Sequence, residues 1–79
     1  MSNKEKYDAA FIESFSLEAG TLSPDLAYNG VPEWDSIGHM GLIAALEDAF
    51  AISMETDDIV EFSSYAKGME ILKKYAIEI

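Results

Sequence analysis

The sequence predicts a small all-α domain: a bundle of three main helices and one short helix, with a long loop after the first helix. Two observations lead to this fold class. Apolar residues recur at helical spacing in four segments, and no alternating strand pattern of useful length occurs. A third observation, 79 residues of which 49% are hydrophobic, limits the chain to one thin core. We therefore expect a single domain over residues 1–79.

The first helix is predicted over about residues 4–17. Tyr7, Phe11 and Phe15 recur at intervals of four residues and form one apolar stripe. Gly20 follows closely and is the predicted stop, because glycine commonly ends helices. The stripe is expected to face the core of the bundle.

The connection that follows, about residues 18–34, is predicted to be irregular, because it contains two glycines and two prolines. So long a loop is uncommon in a compact domain. Apolar side chains are therefore expected to anchor it, and Leu22, Leu26 and Val31 are the candidates. We interpret Trp34, at the end of the loop, as a lid over it or as a contact for a partner.

The second helix is predicted over residues 36–51. Its core stripe consists of apolar residues spaced by four: Leu42, Leu46 and Phe50. Gly38 and Gly41 are unusual here, because each costs about 1 kcal/mol relative to alanine inside a helix. Either the helix start is loose, or something approaches its backbone closely.

A short third helix is predicted over residues 57–62, with Thr56 as its N-cap and acidic residues in its first turn. The fourth helix is predicted to open at Ser63 or Ser64 and to run to about Ala76. Its apolar stripe is formed by Tyr65, Met69, Leu72 and Tyr75. Three helices and a short one account in this way for most of the chain.

The charge balance restricts the possible functions. Fifteen acidic residues against five basic ones give a net charge of −10. This argues strongly against nucleic-acid binding, because phosphate contacts need clustered basic side chains. It favours partners that have basic docking surfaces. No apolar run approaches the roughly 20 residues of a membrane span, and no signal-peptide pattern opens the chain. A cytoplasmic monomer without a membrane partner is therefore expected.

The chain has no cysteine and one histidine. No disulfide, no thiolate metal site and no multi-histidine metal site is therefore expected, and the chain has no thiol nucleophile of its own. A function that needs a thiol has to bring it in from outside.

Ser36 lies where the second helix starts, in the stretch VPEWDSIGHM, and three interpretations of it compete. In the first, Asp35 or Ser36 caps the helix. In the second, Ser36 is a nucleophile and His39 its base, although the glycine-flanked elbow and an evident oxyanion hole are missing. In the third, Ser36 is an attachment point, where the helix N-terminus favours a phosphate group.

One stretch resembles the central helix of acyl carrier proteins: WDSIGHMGLIAALEDAFAI. The match consists of Asp-Ser followed by an apolar residue and of the Leu-Glu-x-x-Phe ending, and the order of helices and loop also matches over about residues 4–76. The resemblance implies an acyl-carrier-like four-helix bundle. It also implies that a magnesium-dependent phosphopantetheinyl transferase moves 4′-phosphopantetheine from coenzyme A onto Ser36. The thiol of that arm carries acyl groups as thioesters, so the carrier itself is not an enzyme.

The resemblance further implies a docking surface for acyl- or aminoacyl-loading and acyl-transfer enzymes with basic surfaces. Asp35 flanks the attachment site, and an apolar strip runs beside the arm: Ile37, Met40 and Ala44. The acidic residues of this surface are expected to be Glu47, Asp48, Glu55, Asp57, Asp58 and Glu61. Ordinary core filling is the alternative for Met40.

The chain also departs from the family pattern. Gly38, His39 and Gly41 stand where many fatty-acid carriers have acidic residues, which weakens the expectation of fatty-acid synthase partners. This part looks more like stand-alone carriers of specialised pathways. The implied function is to carry acyl intermediates of fatty-acid-like or specialised metabolite biosynthesis. A peptidyl or aminoacyl carrier is the close alternative, and an unmodified acidic helical adaptor is the alternative of another class.

Overall fold

A computed structural model describes residues 2–79 of the chain. Its four helices are α1 (Asn3–Phe15), α2 (Ser36–Phe50), α3 (Thr56–Glu61) and α4 (Tyr65–Lys73), and a 3-10 turn lies at Ala19–Thr21. Within the described residues, the β structure amounts to one isolated antiparallel bridge between Ala27 and Ser64. The predicted all-α class is confirmed at this level, as a small helical fold with four helices and no strand in the described part.

The two ends of α1 are set by local hydrogen bonding. Ser2 and Glu5 form a capping box, in which each side chain accepts a hydrogen bond from the backbone N–H of the other. The helix ends just before Ser16, which adopts the left-handed conformation with a φ of 54°. The predicted stop at Gly20 is therefore wrong, because the chain already turns out of the helix at a serine.

The bounds of the last two helices also differ from the prediction. Glu55 occupies the cap position of α3 without a side-chain cap hydrogen bond, so Thr56 is the first helical residue and not the cap. Ser64, one of the two predicted start residues, is the N-cap of α4, and its side chain accepts a hydrogen bond from the Lys67 N–H. This helix ends at Lys73, short of the predicted end at Ala76, because residues 74–76 continue as a tight turn with hydrogen bonds three residues back along the chain.

The core is mostly aromatic. Six ring-bearing side chains are at most 4% exposed: Tyr7, Phe11, Phe15, Trp34, Phe62 and Tyr65. Centroids of neighbouring rings in this cluster lie between 4.9 and 6.5 Å apart, mostly tilted or edge to face, an arrangement that aromatic pairs favour. Leu42 and Leu46 of α2 belong to the aliphatic part of the core, whereas Phe50, the third residue of the predicted stripe, is half-buried and packs against the core.

Trp34 is part of this core. Its ring stacks on Phe15 at a centroid distance of 5.3 Å and meets Phe11 edge-on at 5.4 Å. Because the side chain is fully buried, it is neither a lid over the loop nor a surface for a partner. Both interpretations offered for it are wrong.

The long first loop is fixed to the rest of the fold. The predicted apolar anchors all pack in or against the core: Leu22, Leu26 and Val31. Around the isolated bridge, the Tyr28 N–H donates to the Ser63 carbonyl at 2.9 Å and the Tyr65 N–H donates to the Leu26 carbonyl at 2.8 Å. The loop therefore lies beside the segment that joins α3 to α4, which brings Tyr28 close to the start of α2.

Candidate functional site

Ser36 and Asp35 have separate tasks at the start of α2. Asp35 is the N-cap, and its carboxylate accepts a hydrogen bond from the Gly38 N–H at 2.8 Å. Ser36 is the first helical residue and is exposed, and no hydrogen bond to its hydroxyl is found among residues 2–79. Of the two predicted capping candidates, Asp35 is therefore confirmed and Ser36 is wrong.

His39 is half-buried and uses both ring nitrogens. The Trp34 Nε1–H donates to its Nδ1 at 3.0 Å, which assigns the remaining proton to Nε2, and Nε2 donates to the Ile59 carbonyl at 2.8 Å. This side chain thereby joins the first loop, α2 and α3. Neither nitrogen faces Ser36 as a free base, so the arrangement of nucleophile and base is not formed.

An apolar cleft of about 430 Å³ opens beside Ser36. Its lining comes from the first loop, the start of α2 and the region of α3: Tyr28, Ser36, His39, Met40, Ile59, Val60, Phe62 and Ser63. Phe62 is buried, whereas Met40 is 55% and Val60 75% exposed. Since Ser36 itself belongs to the lining, a group attached to its hydroxyl starts at the edge of this cleft.

The predicted apolar strip beside Ser36 is exposed. Ile37 is 83% exposed and Met40 55%, and Ala44 is exposed as well. The alternative that Met40 fills the core is therefore wrong. Its side chain instead borders the cleft, on the side of α2 that does not pack into the bundle.

Most of the predicted docking acids are exposed, and they lie at the start of α2, near its end and around α3: Asp35, Asp48, Glu55, Asp57 and Glu61. Glu47 is half-buried, and one of its carboxylate oxygens accepts a hydrogen bond from the Met54 N–H at 2.8 Å. Its charge therefore also supports the turn that follows α2.

Asp58 does not belong to the exposed acidic surface, since it is only 4% exposed. Its carboxylate accepts hydrogen bonds from Lys74 Nζ at 2.6 Å and from the Tyr75 hydroxyl at 2.5 Å. These hydrogen bonds, that of Lys74 first, hold the pKa of the Asp58 carboxyl below its ordinary value. The prediction of Asp58 as a docking residue is wrong, because its charge is used to join α3 to the end of α4.

Sequence reasoning nominated Ser36 and Met40 among the residues that line the cleft, considered His39 only as a base for Ser36, and missed the others. One signal was available in DDIVEF, where Ile59, Val60 and Phe62 give a short acidic helix more apolar surface than it can bury by itself. Tyr28 carried no such signal, because it lies in the irregular loop and reaches the cleft only through the tertiary fold.

Comparison with known proteins gives no relative. No family model, curated protein or solved structure matches the chain. Within the described part of the chain, no cluster of His, Cys, Asp or Glu is suited to hold a metal ion, and no helix is long and apolar enough to cross a membrane. The function therefore has to be argued from the site itself.

Proposed function

We propose that the protein is a carrier of the acyl carrier type, in which Ser36 is the attachment point for 4′-phosphopantetheine and the arm holds an acyl group. One observation carries the proposal. Asp35 caps α2, so the exposed Ser36 hydroxyl is not used in the cap, makes no hydrogen bond within residues 2–79 and lies at the edge of an apolar cleft. The order of the helices, the long first loop and the serine at the start of α2 support an acyl-carrier-like bundle as part of the same proposal.

The other roles of a serine require contacts that Ser36 does not make among the described residues. A capping serine accepts a hydrogen bond from a backbone N–H two or three residues on, and here Asp35 accepts it. A catalytic serine contacts a base, and the ring nitrogens of His39 are bound elsewhere. An attachment site needs only an accessible hydroxyl with room beside it, and both are present.

Attachment would be catalysed by a separate magnesium-dependent phosphopantetheinyl transferase. Ser36 Oγ attacks the pantetheine-bearing phosphorus of coenzyme A, an Oγ–P bond forms, and the bond to the adenosine bisphosphate leaving group breaks. The Ser36 proton passes to a base of the transferase. When bound, the arm supplies a thiol that holds acyl groups as thioesters, a group that this cysteine-free chain lacks.

The position of Ser36 suits a phosphodiester. It is the first residue of a helix of 15 residues, whose N-terminal dipole favours negative charge by about 0.3–1 kcal/mol at an exposed site. The neighbouring Asp35 charge opposes this effect, although its carboxylate is directed to the cap hydrogen bond with Gly38. The residues present therefore fit the group.

The surface charge supports partners with basic docking surfaces. All five basic residues are lysines, and three of them form ion pairs with acids of the same chain: Lys4, Lys67 and Lys74. The exposed acids near the end of α2 and around α3 are left to face a partner. Complementary charge would speed the encounter with the transferase and with acyl- or aminoacyl-loading and acyl-transfer enzymes, and would orient them.

The test is the intact mass of the protein after incubation with coenzyme A, magnesium and a broad-specificity phosphopantetheinyl transferase. We expect a gain of one phosphopantetheine in the wild type and none in Ser36→Ala. Ser63→Ala is the matched control, because Ser63 is also an exposed serine that lines the cleft, and it should load like the wild type. An unchanged wild-type mass would contradict the proposal.

The loading assay also separates the alternatives. A peptidyl or aminoacyl carrier uses the same attachment and differs only in cargo, so it gives the same mass gain. An unmodified acidic adaptor gives no mass gain, and its function in the cell survives the Ser36→Ala substitution.

A further inference from the structure

We propose that this carrier holds a compact, uncharged apolar acyl group in the surface cleft beside Ser36 and does not admit a long linear chain into its interior. The inference rests on the proposed carrier function and adds the class of cargo. Three features of the cleft support it: a floor that cannot recede, walls that are held together, and an apolar lining without a basic side chain.

The floor of the cleft is Phe62. Its ring is 1% exposed and packs against Tyr7 and Trp34, each at a centroid distance of 6.5 Å. Behind it, a Cβ atom added at Gly68 would lie 2.2 Å from Phe62 Cζ and 2.3 Å from the Tyr7 hydroxyl oxygen. The space behind the ring is therefore full, and a chain that entered the bundle would have to displace a close-packed aromatic core.

The walls of the cleft are joined by hydrogen bonds. His39 holds the Ile59 carbonyl of α3 with one ring nitrogen and Trp34 with the other. The neighbouring Asp58 ties α3 to Lys74 at the end of α4. Moving α3 outward would break the hydrogen bond between His39 and the Ile59 carbonyl, and it would strain the ion pair between Asp58 and Lys74. The cleft therefore does not widen freely.

The size of the cleft limits the cargo. At about 430 Å³ it lies in the lower part of the range of roughly 300–1,000 Å³ that small-molecule sites occupy. A closed cavity of about 150 Å³ takes one benzene ring, hence six carbon atoms. This cleft is open and also has to take the thioester and the adjoining end of the arm. On this scale a cargo of roughly six carbons takes about a third of the volume and leaves the rest to the thioester, the adjoining end of the arm and the open side of the cleft.

The chemistry of the lining excludes charged cargo. The polar side chains in it belong to Tyr28, Ser36, His39 and Ser63, and both nitrogens of His39 are already bound. A carboxylate held in the cleft would therefore lose part of its water and find no basic side chain in the lining to pair with, which is unfavourable. Aliphatic or aromatic acyl groups without charge match the surfaces of Met40 and Val60.

The test is a series of acyl groups loaded onto Ser36 by the broad-specificity transferase from acetyl, butyryl, hexanoyl and decanoyl coenzyme A. Intact mass verifies loading, and circular dichroism gives the Tm of each form. We expect the Tm to rise by about 5–10 °C from acetyl to hexanoyl and to stay level from hexanoyl to decanoyl. A rise that continues to decanoyl, or no rise at all, would overturn the inference while leaving the carrier function intact. Absence of any mass gain would overturn both.

Two substitutions sharpen the test. Met40→Ala removes a wall of the cleft and should reduce the rise in Tm from the acetyl to the hexanoyl form by at least about half. Ile12→Ala is the matched control, because Ile12 is a half-buried apolar residue of α1 outside the lining, and the rise in Tm across its loaded forms should follow the wild-type series. Equal effects of the two substitutions would place the cargo outside the cleft and overturn the inference.

Discussion

Two faces of α2 are apolar, and they have opposite environments. On one face, Leu42 and Leu46 are fully buried against the core. On the other, Ile37 and Met40 are 83% and 55% exposed. Burial in the fold explains the first face only. An apolar strip that remains in water beside an apolar cleft is the kind of surface that the proposed contact with a cargo or a partner would use, and the fold by itself does not account for it.

The largest expected effect is the difference in the free energy of unfolding between substitutions on the two faces of α2. Leu46→Ala should lower the free energy of unfolding by about 2–5 kcal/mol, because it leaves a cavity in the core. Met40→Ala, on the exposed face, should change it by less than about 0.5 kcal/mol. Urea unfolding of the two unloaded variants measures both values. A cost at Met40 that matches the cost at Leu46 would show that the open face is packed.

Alanine substitutions at the two glycines of α2 should change the stability of the fold by smaller amounts and in opposite directions. A Cβ atom at Gly38 would lie 1.9 Å from the Glu33 carbonyl oxygen, so Gly38→Ala forces the backbone to shift and should cost at least about 1 kcal/mol. A Cβ atom at Gly41 meets nothing within 4 Å, so Gly41→Ala should stabilise by about 0.4–1 kcal/mol. Thermal unfolding of the pair measures both signs, and a stabilising Gly38→Ala would disprove the close approach.

The smallest expected effect concerns two adjacent acidic residues. Asp57 is exposed and Asp58 is buried, the same contrast as between the two faces of α2. The hydrogen bonds from Lys74 and Tyr75 keep the pKa of Asp58 below its ordinary value of 3.8 in the folded chain. A carboxyl with a lowered folded-state pKa stabilises the fold above its unfolded pKa, and this stabilisation is lost as the pH falls through the folded value.

Asp58→Asn should therefore lower the Tm near neutral pH, and the difference from the wild type should shrink below pH 3.8. Thermal unfolding across acid pH measures this difference. Asp57→Asn is the matched control and should leave the Tm nearly unchanged throughout. If the Tm difference between Asp58→Asn and the wild type is the same at all pH values, the charge of Asp58 does not contribute to stability.

Features that depend on neighbours in sequence were predictable. The buried stripe of α2 follows from the spacing of Leu42 and Leu46, and the capping role was narrowed to Asp35 or Ser36 because both residue types occur at that position. The order of the four helices follows from the same local signals. The end of α1 was missed, because the left-handed turn occurs at Ser16, where composition gives no warning.

Features that depend on the meeting of distant segments were not predictable. Trp34 follows a loop rich in glycine and proline, and it is buried by side chains that distant segments bring to it, among them Phe11 and Phe15 of α1 and Phe62. Asp58 reads as one acid among several, and its partner Lys74 lies 16 residues away. The task of His39 depends in the same way on the Ile59 carbonyl, which α3 brings to it.

The cap of α2 has one more consequence. The hydrogen bond that starts the helix belongs to the Asp35 carboxylate, so a substituent on the Ser36 oxygen leaves every bond of the cap in place. Converting that hydroxyl to a phosphodiester, and hydrolysing the phosphodiester again, requires no refolding of the helix. Two adjacent residues thus divide the tasks: the Asp35 carboxylate holds the start of the helix, and the Ser36 oxygen can take the proposed substituent without loss of that hydrogen bond.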